Sequence, residues 1–348
     1  MYLRKLYTLA AVLLFAGMAS AQNMPKFSGL FFGDYYYDLQ HDPANTGVNP
    51  TSNNLTLAKG MQAFAYRRIY LTTDYDFAQD FTARFRLESD PSASSLPTAT
   101  GTSNGKYSTM VKDASITWKN VTDGGNIIIG LQGTPEINMA ESIFGYRSLE
   151  KTVQDLHGIS SSRDIGVSFN QTFSDEFKAG FLVGNNSSNS VPSNKYKAGY
   201  LYVQYNPVKE FTILLNGQYN GTGVLTYNRT GDVIVNYANS DFSLGAQYFL
   251  NGINNAGGST TKKNGLSLNG WVGLIDNLRL VARYDMYTPN ADTKNTTFAT
   301  SVQNLIVGGL DWSVRKNVHF MPNVEYATYG LSGSKADAIA RATFFITF

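Results

Sequence analysis

The sequence predicts an all-β fold, a closed antiparallel barrel of sixteen strands, on three observations. Segments of about ten residues alternate apolar and polar side chains, their connections alternate between short and long, and charges are scarce while aromatics abound. Of 348 residues, 43% are hydrophobic and only 16% charged, against about 25% charged in ordinary soluble domains. There are 22 Tyr, 21 Phe and 32 Gly, and no Cys. The mean hydropathy of −0.21 excludes a bundle of membrane helices. The aromatic content excludes a disordered chain, and the missing Cys excludes a disulfide scaffold or a thiolate metal site.

The first 21 residues read as an export leader. Arg4 and Lys5 precede an apolar run from Leu6 to Met18, and Ala19-Ser20-Ala21 supplies a small-x-small cleavage site. Residues 22–348 then form one domain. The formal charge of +2 disappears with Arg4 and Lys5, leaving acids and bases equal, which argues against nucleic acid as a partner. Beyond the leader no run is apolar enough for a membrane helix.

Period-2 alternation marks a strand with one apolar and one polar face. In FTARFRLESD, Phe81, Ala83, Phe85 and Leu87 alternate with Thr82, Arg84, Arg86 and Glu88. The same pattern recurs in RDIGVSFNQTF, FTILLNGQY, DFSLGAQYFL, NLRLVARYDMY and ARATFFITF. Strands are expected at 26–39, 60–76, 81–90, 109–119, 126–133, 163–173, 177–186 and 196–205. Eight more are expected at 210–220, 232–238, 242–251, 265–274, 278–287, 302–314, 317–329 and 337–348. Short turns fall near 77–80, 120–125, 174–176, 206–209, 239–241, 275–277 and 315–317. Long connections fall near 40–58, 91–108, 134–162, 187–195, 221–231, 252–264, 288–301 and 330–336.

Ten-residue strands with short turns on one side and long loops on the other are the pattern of a barrel that crosses an outer membrane. An even strand number closes the sheet without an edge. The apolar face carries Tyr75, Trp118, Phe173, Phe177, Tyr205, Phe211, Phe242 and Trp312 near the turns. Near the loops it carries Tyr219, Tyr248, Tyr284 and Tyr326, so two aromatic girdles are expected. Phe344, Ile346 and Phe348 alternate at the C-terminus, and a last strand ending in an aromatic resembles the signal such barrels present to their assembly machinery.

Residues 27–190 resemble the phosphate-selective porin O/P group of sixteen-stranded outer-membrane porins. The resemblance rests on FAYRRIYLTTDYDF with Arg67 and Arg68, VKDASITW from Val111 to Trp118, and IIIGLQGTPE. It continues through YRSLEK to SRDIGVSF with Arg163, Asp164 and Gly166. It implies a homotrimer with a pore in each protomer, and a long third external loop folded inward as a constriction.

The segment 134–162 matches that loop and carries Glu136, Glu141, Arg147, Glu150, Lys151 and Asp155, with His157 nearby. On the inward face, alternation places Arg68, Arg84, Arg86, Lys178, Arg279, Arg283 and Arg341. It also places Asp74, Glu88, Asp113, Asp164, Asp285, Asp311 and Glu325 there. The expected pore-lining set is Arg68, Arg84, Arg86, Asp113, Glu136, Glu141, Arg147, Glu150, Lys151, Asp155, Arg279, Arg283 and Arg341. The phosphate-selecting relatives carry a basic ladder, and here the signs are balanced. Arg68, Arg84 and Arg86 either gather as a basic wall or pair with Glu88, Asp74 and Asp113. Three scattered His give no converging ligand set for a metal, and no catalytic motif appears. The expected function is passive diffusion of small hydrophilic solutes or ions, weakly selective and without a cofactor. An anion- or phosphate-selective porin and a surface adhesin acting through its loops are the alternatives.

Overall fold

The computed structural model describes residues 24–46, 58–90, 107–292 and 296–348. The expected leader and parts of the connections at 40–58, 91–108 and 288–301 lie outside them. The described chain forms sixteen antiparallel strands in one closed sheet, each paired with its sequence neighbours and β1 with β16. They are β1 (Lys26–Gln40), β2 (Gln62–Ala78), β3 (Phe81–Ser89), β4 (Thr109–Thr122), β5 (Gly125–Gly133), β6 (Arg163–Thr172), β7 (Phe177–Gly184) and β8 (Ala198–Val208). The others are β9 (Phe211–Gly221), β10 (Tyr227–Ala238), β11 (Phe242–Asn254), β12 (Thr260–Ile275), β13 (Leu278–Thr288), β14 (Gln303–Arg315), β15 (Val318–Tyr329) and β16 (Asp337–Thr347). All sixteen expected strands are present. Two connections differ from expectation. Those at 221–231 and 252–264 shrink to five-residue links, because β10 begins at Tyr227, β11 runs to Asn254 and β12 begins at Thr260. The polar residues there continue the hydrogen-bonded ladder, Tyr227 pairing with Gly221 and Asn254 with Thr260.

Closure between β1 and β16 runs from Leu30↔Thr347 to Gln40↔Ala338. It ends with reciprocal backbone hydrogen bonds between Gly29 and Phe348 at 2.7 and 3.1 Å. The Phe348 ring lies 2.1 Å from where a Cβ on residue 29 would sit, so a larger residue there would have to displace the ring.

Outward positions carry large apolar side chains along nearly every strand. Leu71, Ile116, Ile129, Val183, Leu201, Leu215, Leu244, Leu268 and Ile306 are all exposed. At the turn side, Trp118, Phe173, Phe177, Tyr205, Phe242 and Trp312 are exposed on that face, as are Tyr219, Tyr248 and Tyr326 at the loop side. An apolar surface of this extent exceeds what a water-soluble monomer presents.

Of the β-bulges along the described strands, two change which charged side chains face inward. On β2, Phe32 pairs with Arg68 and Gly33 with Tyr66, which leaves Arg67 as the extra residue. On β4, Arg86 pairs with Asp113 and Leu87 with Val111, which leaves Lys112 as the extra residue. A bulge sets two consecutive side chains on one face, so Arg67-Arg68 and Lys112-Asp113 both point inward and are buried. Strict alternation had Arg67 and Lys112 outward.

Candidate functional site

The connection between β5 and β6 is the only one among the described residues with α-helices of its own. Thr134 is the N-cap of α1 (Pro135–Phe144), and Pro at the first helical position suits its fixed φ. Gly145 ends the helix at φ 77°, a left-handed conformation that disfavours any other residue. A second short helix, α2 (Val153–Leu156), follows.

This segment reaches strands all round the barrel. Ala140 of α1 packs with Tyr202, Leu214 and Ile234 on β8, β9 and β10. Tyr146 and Leu149 pack with Val281, Leu305, Val307, Met321 and Ala327 on β13, β14 and β15. Val153 and Ile159 join Phe249 and Tyr287, and the His157 ring stacks on Tyr287 at 3.7 Å. Polar ties accompany this packing. Tyr146 Oη donates to Asp311 at 3.0 Å, and Gln247 Nε2 donates to Gln154 at 3.0 Å. Arg67 Nη1 donates to the Leu149 carbonyl at 2.8 Å and also reaches the Ser148 carbonyl. The Arg67 Nε lies 2.6 Å from Asp34. Only the interior of a closed barrel brings one segment against β1, β2 and β8–β16 at once.

The β2–β6 wall is different. A cavity of about 400 Å³ lies against it, lined among others by Asp74, Arg84, Arg86, Asp113, Ser115, Thr117, Lys119 and Gln132. Between α1 and β10–β13 the corresponding space is about 10 Å³. The wall's charges are paired. Arg68 Nε lies 2.8 Å from Glu88, whose other oxygen takes Lys112 Nζ at 2.7 Å. Arg84 holds Asp74 in a two-pronged contact at 2.7 and 2.9 Å. Arg86 lies 3.2 Å from Asp113, which Arg163 approaches to 2.5 Å. Lys119 lies 2.7 Å from Asp76. The three arginines thus pair with the three acids that alternation set beside them. On the inserted segment, Arg147 lies 2.8 Å from Glu141 and 3.8 Å from Asp155, and all three are partly accessible.

The other expected residues sit elsewhere. Glu136 is 1% exposed, takes hydrogen bonds from Ser160 and Gln154, and has no open passage beside it. Burial pushes its carboxyl up to about 8. Glu150 and Arg341 are buried together with Glu325, and Arg283 is buried against Asp285 and Phe144. These four correct the expectation of a pore lining. They face inward, but the inserted segment covers them and uses them as attachment. Arg279 is exposed on β13, its guanidinium 3.9 Å from the Trp271 ring, across the barrel from the β2–β6 wall. Lys151 is half-buried. Arg67, Lys112 and Arg163 were missed as site residues. The doublets RR and KD inside otherwise alternating runs were the available signal, since two adjacent charges cannot both face one side without a bulge.

Asp311, His319 and Ser313 also meet inside the barrel. The acid lies 2.7 Å and the hydroxyl 3.3 Å from the same ring nitrogen, Nδ1. A Ser-His-acid relay needs both ring nitrogens, one for each partner, so these three do not form one.

No protein-family model and no curated protein matches the chain. Solved structures do. An anion-selective porin from Comamonas acidovorans superposes with a TM-score of 0.63 at 13% identity, covering 93% of this chain and 99% of that one. The outer-membrane channel DcaP of Acinetobacter baumannii gives 0.65 at 12% identity, covering 93% and 97%. OmpT, an outer-membrane protein of Vibrio cholerae solved in trimer form, gives 0.62 at 14%, covering 93% and 99%. The fold is a porin fold.

Proposed function

We propose that the chain is an outer-membrane channel for passive diffusion of small hydrophilic solutes or ions, weakly selective with a slight preference for anions. The observation that carries this is the asymmetric lumen: a polar cavity of about 400 Å³ stays open along β2–β6 while the inserted segment packs tightly on the other side. The apolar outward band with aromatic residues at both ends suits lipid on the outside. The leader expected at 1–21 fits export to that membrane, and the closing strand β16 is the segment that would engage barrel-assembly machinery. The trimer form of the similar OmpT favours a homotrimer here.

The selectivity follows from the accessible charges. On the wall, Arg84, Arg86 and Lys119 are accessible beside Asp74 and Asp76, whereas Arg68, Lys112 and Arg163 are buried with Glu88 and Asp113. The segment's Glu141 and Asp155 are offset by Arg147 and Lys151 at its exposed face. Its remaining acids near the lumen, Glu136 and Glu150, are buried. A modest excess of positive charge in a narrow passage favours anions. The phosphate-selective reading of the sequence resemblance needs more, an unpaired basic ladder, and the pairing on this wall disfavours it. Reconstitution of the pure protein into planar bilayers tests the proposal. Stepwise conductance with an anion-to-cation permeability ratio a little above one is expected. Absence of conductance steps, or a saturating phosphate site, would overturn it.

A further inference from the structure

Above the apolar band, among the described residues, an outward-facing recess lies over the loop-side ends of β10, β11 and β12. Its volume is about 460 Å³, and Arg229, Gly231, Leu250, Gly252, Lys262 and Asn264 line it. These six occupy outward positions, in register with one another. Arg229 pairs with Gly252 and Gly252 with Lys262, so two cations flank a glycine across three adjacent strands. At the strand spacing of about 4.8 Å, their backbones stand roughly 10 Å apart. One row nearer the barrel's middle, Gly231 pairs with Leu250 and Leu250 with Asn264. Gly231 pairs on its other side with Gly217.

The glycines make the recess. A Cβ on residue 217 would have nothing within 4 Å, and one on residue 231 only the Asn216 carbonyl at 4.0 Å. Steric need does not explain glycine at either position. The Arg229 side chain leans over Gly252, its Nε 3.5 Å from where a Cβ would stand. Arg229 has no carboxylate partner among the described residues, and Lys262 has only Asp292 at 3.5 Å, with both side chains more than half exposed. Beside the cations, Tyr219 stacks on Tyr227 at 5.3 Å. Beneath them Leu250 and Tyr248 are exposed on the apolar band.

We infer that this recess binds the phosphorylated head of an outer-leaflet glycolipid, with its acyl chains running down over Leu250 and Tyr248. Cations at the level of the headgroups, directly above apolar surface, match a molecule that is anionic at one end and hydrocarbon at the other. A free phosphate would use the cations and gain nothing from the leucine floor. The inference rests on the proposed membrane location and is independent of conduction.

The test is native mass spectrometry of the detergent-purified protein with diphosphoryl lipid A, its dephosphorylated form and inorganic phosphate as probes. Three proteins are compared: the unmodified chain, Arg229→Gln with Lys262→Gln, and Gly231→Leu, which fills the recess at a position with open space. Retention of diphosphoryl lipid A by the unmodified chain is expected, weakened roughly tenfold or more in each variant. The dephosphorylated lipid and inorganic phosphate should bind weakly to all three. Equal retention by all three proteins, or equal retention of the dephosphorylated lipid, would overturn the assignment. Single-channel conductance of the variants should equal that of the unmodified chain. A changed conductance would put the two cations inside the barrel and refute the site.

Discussion

The β2–β6 wall and the β8–β16 wall share one backbone plan, inward side chains at every second residue, yet the inserted segment adheres to one and leaves the other open. The difference lies in what the alternating positions hold. On β8–β16 they include Tyr202, Leu214, Ile234, Phe249, Val281, Leu305, Val307 and Met321, which are buried against Ala140, Tyr146, Leu149 and Val153. Burying such side chains stabilises by about 1.5–3 kcal/mol each, and that attraction draws the segment across the lumen. On β2–β6 the same positions hold Asp74, Arg84, Arg86, Asp113, Ser115 and Thr117. Covering those charges would cost their hydration, so water stays there. A channel of this kind is made by leaving one wall too polar to cover.

The largest expected effect comes from the tie between the walls. Arg67 joins Asp34 on β1 to the Ser148 and Leu149 carbonyls of the segment. Arg67→Ala leaves a buried carboxylate unpaired and is expected to cost about 3–5 kcal/mol, read by denaturant unfolding in detergent. It should also raise conductance and current noise as the segment loosens. Unchanged conductance with lowered stability would show that the packing on β8–β16 holds the segment without this tie.

Next comes the open wall. Arg84→Ala with Arg86→Ala removes its excess positive charge, and the reversal potential in a salt gradient should move towards cation preference, a severalfold change in permeability ratio. No shift would mean that ions pass elsewhere.

A smaller effect concerns pH and the packed wall. The Glu136 carboxyl titrates near 8 in the folded protein against 4.5 ordinarily. Below 4.5 both states hold the proton. Between 4.5 and 8 the folded state alone retains it, so stability falls as pH rises through that window and is level above it. Glu136→Gln should abolish this slope, seen as a difference in unfolding midpoint that grows from pH 5 to pH 8. His157 should give the smallest effect. Burial lowers its pKa to about 3, so His157→Phe, which keeps the stack on Tyr287, should leave the conductance profile between pH 5 and 7 unaltered.

The strands were legible because alternation is a strong signal wherever one face meets lipid and the other water. It failed where that contrast ends. At 227–231 and 260–264 both faces are polar, so residues such as Asn228, Thr261 and Lys263 read as loop although their backbone pairing continues. The bulges hid the second kind of feature. Counting by twos from Ile69 or Ile116 reaches the wrong face at Arg67 and Lys112, and only tertiary pairing records the extra residue. Charge signs were legible too, but not which acids the segment would cover. Glu136 and Glu141 lie on the same helix, and packing on the far wall decides that the first is buried and the second partly accessible.

Site-selective labelling tests the asymmetry most directly, since the chain has no Cys of its own. Ser115→Cys and Thr117→Cys sit on the open wall, and Ser267→Cys on the packed one, where Ser267 is 3% exposed. With a water-soluble thiol reagent added to the reconstituted protein, the first two should label rapidly and reduce conductance, while the third stays unmodified. Equal labelling at all three positions, or labelling at residue 267 alone, would contradict a lumen open on one wall and sealed on the other.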